Sequence, residues 1–166
     1  MLHLVRHRLV WMLLLTAAIA AFLLPACIGN GNDDDDMDRE GRPGQVARPA
    51  DIGLPLDDPR AVQAYDRADQ LLLDWFIRRD LDVALENFSS NLRTTWASIF
   101  DGTTIEGNCS FTQVEGSVPD QSGTVTARYV IDGCRVAPPG DLTASHIIIR
   151  VTVTDQNAWV ISVEFD

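Results

Sequence analysis

The side chains best suited to chemistry are three cysteines, Cys27, Cys109 and Cys134, and His146, the only histidine beyond residue 7. A zinc site built from Cys109, Cys134 and His146 lacks a fourth ligand at any usual spacing. Catalytic thiol chemistry is not expected, because there is no Cys-x-x-Cys and only His146 follows the N-terminal segments. The run of four aspartates at 33–36 suggests calcium. An EF-hand loop, however, alternates its ligands around a turn glycine and closes on a glutamate, and that spacing is missing. No metal and no cofactor is therefore expected. All 13 basic residues are arginine, set against 24 Asp and Glu for a net charge of −11. Such a chain repels polyanions, which excludes nucleic acid as a partner. Its 166 residues allow one domain, and 46% hydrophobic residues are enough to give that domain a core.

Cys27 stands at the end of an address. Arg6, His7 and Arg8 form a positive head, and the 16 residues 9–24 carry no charge. This is the secretory signal pattern, and it falls short of the roughly 20 residues that span a bilayer. It ends Leu24-Pro25-Ala26-Cys27, which resembles the lipobox of bacterial lipoproteins. The resemblance implies cleavage after residue 26 and lipidation of Cys27. Cleavage without lipidation, or an uncleaved anchor, are the other outcomes open to this segment. Each buried methylene contributes about 0.8 kcal/mol, so two or more acyl chains hold a protein durably where one does not. The expected location is the cell envelope, facing away from the cytoplasm. Ile28, in place of the aspartate that retains many lipoproteins at the inner membrane, points to the outer membrane where the host has one.

Residues 28–58 hold nine acids against three arginines, with almost no apolar side chain before Ile52. They cannot bury enough surface to offset chain entropy, so residues 27–58 are expected to be a disordered acidic tether reaching about 30 Å.

The domain is expected over 59–166, with a net charge of −7. Asp58 can cap a helix that opens on Pro59, whose missing N–H would have no helical partner there. Val62, Tyr65, Ala68, Leu72, Trp75 and Phe76 then recur at three- and four-residue steps, predicting a helix to about Arg79. Asp80 or Asp82 restarts a short helix, and a third is expected from Ser90 to just before Gly102. Beyond Gly102 the period changes to two. In an antiparallel hairpin, opposed residues have a constant sum of numbers. A pairing of Cys109 with Cys134 centres the turn between Gln121 and Ser122, where Pro119, Asp120 and Gly123 predict a turn independently. That register opposes Val114 to Tyr129, Thr112 to Ile131 and Val118 to Val125 on the apolar face. On the polar face it opposes Glu115 to Arg128 and places Asp132 across from Phe111. A Cys109–Cys134 disulfide follows, in keeping with an oxidising compartment. The second hairpin alternates Ile147, Ile149, Val151 and Val153 with Trp159, Ile161, Val163 and Phe165. These sets share a face if the loop has three residues or a bulge intervenes.

Helices followed by a curved antiparallel sheet resemble the NTF2-like superfamily. Residues 68–88, with Asp74, Trp75 and Phe76 ahead of a polar turn at Asp80, look like the helix–turn–helix opening of such domains. Residues 147–165, closing on Trp159-Val160-Ile161, look like their final hairpin, and residues 123–129 resemble a hairpin strand between. The resemblance implies an α+β cone of helices wrapped by the sheet. It also implies one of two roles, a binding module or a ketosteroid-isomerase-like enzyme. The enzyme requires a carboxylate and an oxyanion donor lining one cavity. Tyr129 is the candidate donor, Asp101 and Asp132 are the candidate carboxylates, and His146 is more simply a satisfied histidine. Nothing in the spacing brings these together, so the expected role is non-catalytic. It would bind a small apolar ligand in a pocket lined by Trp75, Phe76, Trp96 and Tyr129, or an envelope protein. A homodimer through the sheet is also implied.

Overall fold

A computed structural model describes residues 44–140 and 143–166. The expected signal segment, Cys27 and the expected tether up to residue 43 lie outside the described residues. What is described is an α+β domain in which helices cover one face of a five-stranded mixed sheet.

Three helices precede the long strands. α1, Pro59–Leu72, opens with Asp58 accepting hydrogen bonds from the Arg60 and Ala61 amides at 2.8 and 3.4 Å. It continues into a wide π-turn, Leu73–Ile77, that buries Asp74, Trp75 and Phe76 in succession. Arg79 ends the run in the left-handed conformation, φ 60°, and the Asp80 amide bonds back to the Asp74 carbonyl at 2.9 Å. Asp80 then caps α2, Leu81–Leu85, by accepting from the Val83 amide. α3, Ser90–Asp101, ends at Gly102. Ala61, Ala64 and Ala68 are buried on α1 together with Tyr65, Leu71 and Leu72, and the helix packs on β4 and β5.

The strands β1 Val46–Ala47, β2 Thr104–Gly116, β3 Thr124–Ala137, β4 His146–Val153 and β5 Ala158–Phe165 lie side by side in chain order. β1 runs parallel to β2, and the other neighbours are antiparallel. β1 corrects the expected tether boundary. Residues 44–58 hold a strand and a short 3-10 turn, Ala50–Ile52, so the ordered chain begins before Asp58. Backbone pairing to β2 holds this segment, and Val46 and Leu54 pack against the core. The Gly44 amide donates to the Cys109 carbonyl and the Phe111 amide to the Gln45 carbonyl, both at 2.9 Å. Arg79 donates to the Ile105 and Gly107 carbonyls at 3.3 and 3.1 Å. The free edge of β2 is thus closed at alternate residues by a strap and one guanidinium, which blunts it against pairing with another chain.

The Cys109–Cys134 disulfide is present, with a Cα separation of 4.7 Å. The register around it differs from the constant-sum expectation. Glu115 does oppose Arg128, but two bulges in β2 each slip the pairing by one residue. Gln113 therefore opposes Tyr129, Phe111 opposes Ile131 and Ser110 opposes Asp132. Gln113 and Phe111 take the inner places expected for Val114 and Thr112, while Val114 and Val118 are exposed. A bulge re-aims every side chain beyond it, and no constant sum survives one. In the second hairpin the loop has four residues, 154–157, and a bulge lies opposite the Arg150–Val151 step. Val163 and Phe165 follow the expected face. Trp159 and Ile161 do not, because Ala158 and Val160 are the inward residues ahead of the bulge.

Candidate functional site

Three of the four expected pocket residues meet in one aromatic cluster. The π-turn turns Trp75 onto Phe100 of α3, stacked at 3.7 Å between ring centroids, with Phe76 at 4.3 Å and Phe165 at 5.9 Å. Phe76 meets Phe111 of β2 edge-on at 5.1 Å. Trp96 stacks on Phe88 at 5.1 Å and leans on Phe100 at 6.0 Å. Aromatic pairs at these separations contribute attraction beyond area burial, so the rings satisfy one another as core.

Tyr129 lies elsewhere, in a polar seam between α1, the sheet and the strap. Its hydroxyl donates to Asp69 Oδ1 at 2.7 Å. Asp69 Oδ2 is 2.7 Å from the Arg48 guanidinium, which also reaches Asp66 at 2.9 Å and lies over the Tyr65 ring, 5.7 Å from its centroid. The Tyr65 hydroxyl donates to the Ser117 carbonyl at 2.9 Å. Tyr129 and Tyr65 are wholly buried, and the Asp69 and Arg48 side chains are 19% and 21% exposed.

Burial sets the electrostatics of the seam. It pushes the Asp69 carboxyl above its ordinary value, while the Tyr129 hydroxyl and Arg48 offset part of the rise. It lifts the Tyr129 phenol well above the ordinary value, and the Asp69 charge adds to the rise. Burial pushes the Tyr65 phenol up to about 12 although Arg48 opposes it. For Arg48 burial works against the charge, but Asp69 and Asp66 outweigh it and hold the guanidinium more firmly protonated.

A second polar knot involves Asp74, 1% exposed, which accepts from Gln70 at 2.9 Å, from Arg78 at 2.5 Å and from Asn87 at 3.4 Å. Asn87 in turn accepts from Arg67 at 3.2 Å, and its carbonyl accepts from the Val160 amide. This knot ties the π-turn and α2 to β5.

The other candidates stand apart. Asp101 ends α3, and Asp132 is exposed on β3. His146 opens β4 with Nδ1 2.9 Å from the Ser145 hydroxyl. Asp69, Arg48 and Gln113 are the residues that sequence reasoning missed. Asp69 sits four residues after Tyr65, beside a buried stripe, and that position is its one sequence signal. Arg48 and Gln113 have no signal without the strap and the bulges. With both oxygens of Asp69 engaged and the phenol enclosed, the triad holds the strap to the domain and offers no open acid–base pair. Among the described residues, no three His, Cys, Asp or Glu side chains gather as a metal site, and no helix is long and apolar enough to cross a membrane.

No family model, curated protein or solved structure matches the chain.

Proposed function

We propose that this chain is an envelope lipoprotein, anchored through lipid on Cys27, whose NTF2-like domain is a non-catalytic module that docks an envelope protein on the outer face of its sheet. The lipobox and signal pattern support the anchor, and a disulfide-bonded hairpin fits an oxidising compartment. The observation that carries the docking face is the division of side chains across the sheet. Inside, the rings pack on each other and the polar groups are largely engaged with one another. Outside, β3 and β4 alternate half-buried residues in a continuous row. Val130 stands beside His146, Arg128 beside Ile148, and Arg150 beside Ser162. Arg128 pairs with Asp166 at 2.7 Å, and Arg150 pairs with Glu164. Arginine is a residue type enriched at protein interfaces, and this face presents Arg128 and Arg150 among half-buried aliphatic side chains.

A photo-crosslinking residue at Ile148, expressed in the native host, tests this face, with Val83 on α2 as the control. The expected result is a discrete adduct from Ile148 and none from Val83. An adduct of twice the chain's mass identifies the partner as a second copy docked through the sheet. The reading is overturned if Ile148 yields no adduct and an apolar molecule is extracted from the purified protein. A second reading, a ketosteroid-isomerase-like enzyme, draws on the Tyr129–Asp69 hydrogen bond. It requires a substrate to displace Arg48 from Asp69, and isomerisation of an unsaturated ketone, lost in Tyr129→Phe, would establish it.

A further inference from the structure

Four side chains close a ring beneath the strap. Arg48 follows Ala47, which pairs with Thr112. β1 ends at Ala47, and extending its parallel register by one residue brings Arg48 level with Gln113. Gln113 opposes Tyr129 across β2 and β3, Tyr129 bonds Asp69, and Asp69 bonds Arg48. The Arg48–Asp69 and Asp69–Tyr129 sides are direct contacts, the Gln113–Tyr129 side is a backbone pairing, and the Arg48–Gln113 side is the register of β1 extended by one residue.

Two buried atoms on this ring lack a hydrogen-bond partner: Arg48 Nε, a donor, and Gln113 Oε1, an acceptor. Gln113 is 0% exposed, so bulk water does not serve it. Its amide orientation follows from its other end, since Nε2 donates to the Glu115 carbonyl at 3.4 Å. Turning the amide over would set two oxygens against each other, so Oε1 is the free end. A buried group left unpaired costs about 1–3 kcal/mol, and native interiors keep such groups rare. One orphan donor and one orphan acceptor from neighbouring strand positions match a ligand that accepts one hydrogen bond and donates another.

We propose that this ring is a binding site for a single internal water, whose oxygen accepts from Arg48 Nε and which donates a hydrogen to Gln113 Oε1. The water continues the polar seam from the strap into the sheet, joining the Arg48–Asp69–Tyr129 chain to β2. It also gives the buried glutamine a role, since an apolar residue opposite Tyr129 would leave Arg48 Nε with no bridge. The inference is independent of any partner on the outer face.

The test is a crystal structure of the full mature chain, disulfide intact, grown without alcohols or glycols, beside the same structure of Gln113→Met. The expected wild-type map shows one solvent peak about 2.7–3.2 Å from both Arg48 Nε and Gln113 Oε1. In Gln113→Met that peak is lost or moves away from position 113. A direct Arg48 Nε–Gln113 Oε1 bond, or no peak between them, overturns the proposal. Should the variant fail to fold, the wild-type map decides alone.

Discussion

Tyr129 on β3 and Asp69 on α1, 60 residues apart in sequence, are joined by a 2.7 Å hydrogen bond from the phenol to a carboxylate that also binds Arg48 of the strap. One buried contact thus ties the sheet, the covering helix and the segment through which the N-terminal chain enters the domain. The Asp69 charge also adds to the rise that burial gives the Tyr129 phenol.

The chain has two tyrosines, and both phenols are raised, Tyr65 to about 12 and Tyr129 well above 10. Burial is the first cause in each. A phenol raised in the folded state contributes stability that is present below its unfolded value near 10 and is lost as the pH climbs through the folded value. Phenolate absorbance of the native protein at pH 10 should stay close to its neutral-pH level, while the urea-unfolded chain is half ionised. A native titration with a midpoint near 10 for either tyrosine would contradict the enclosed seam.

Asp69 follows the same sign in the acid range. Its carboxyl is raised above 3.8, chiefly by burial, so the folded state holds that proton more tightly than the unfolded chain does. Its contribution is most favourable below 3.8 and is lost as the pH rises through the folded value. In urea unfolding, the stability of the parent relative to Asp69→Asn should therefore fall as the pH rises from just below 3.8. A difference that instead grows with pH would mean that the Arg48 ion pair outweighs desolvation.

The Cys109–Cys134 bridge closes a loop across 25 positions. The chain-entropy account assigns such a loop about 3 kcal/mol. The Cys109→Ser/Cys134→Ser double variant should lose stability by about that amount in urea unfolding at neutral pH. An unchanged midpoint would show that β2, with its two bulges, holds its register on β3 without the bridge.

Trp75 is the centre of the aromatic cluster, stacked on Phe100 and touching Phe76 and Phe165. Trp75→Ala should cost about 3–5 kcal/mol and leave an apolar cavity. Benzene should then raise the melting temperature of the variant and not of the parent, because a dry cavity of that kind accepts small apolar guests. A parent stabilised equally by benzene would restore the ligand-pocket reading.

Much of this fold was legible where a local rule had no competitor. Asp58 and Pro59 opened the first helix, Asp80 capped the second, and the third ran from Ser90 to Asp101, because caps and helical spacing act within a few residues. The Cys109–Cys134 pair was legible because a disulfide tolerates the slip that a bulge introduces. The inward turn of Gln113 and the outward turn of Trp159 were not, since each depends on an extra residue in one strand that no local propensity marks. The strap escaped for another reason. Val46 and Ala47 have no strand signature of their own, and they become a strand only where β2 offers an edge. Arg48 and Asp69 entered the site through that tertiary pairing, which leaves no periodicity to find.

The claim on which the proposed compartment and envelope partner depend is the anchor. Intact mass spectrometry of the protein extracted from the membranes of its host tests this most directly. The account predicts a chain beginning at Cys27 that carries the mass of a diacylglyceryl group, and a Cys27→Ser variant that lacks that mass. A chain that begins at Met1, or at Cys27 with a free thiol, would contradict it.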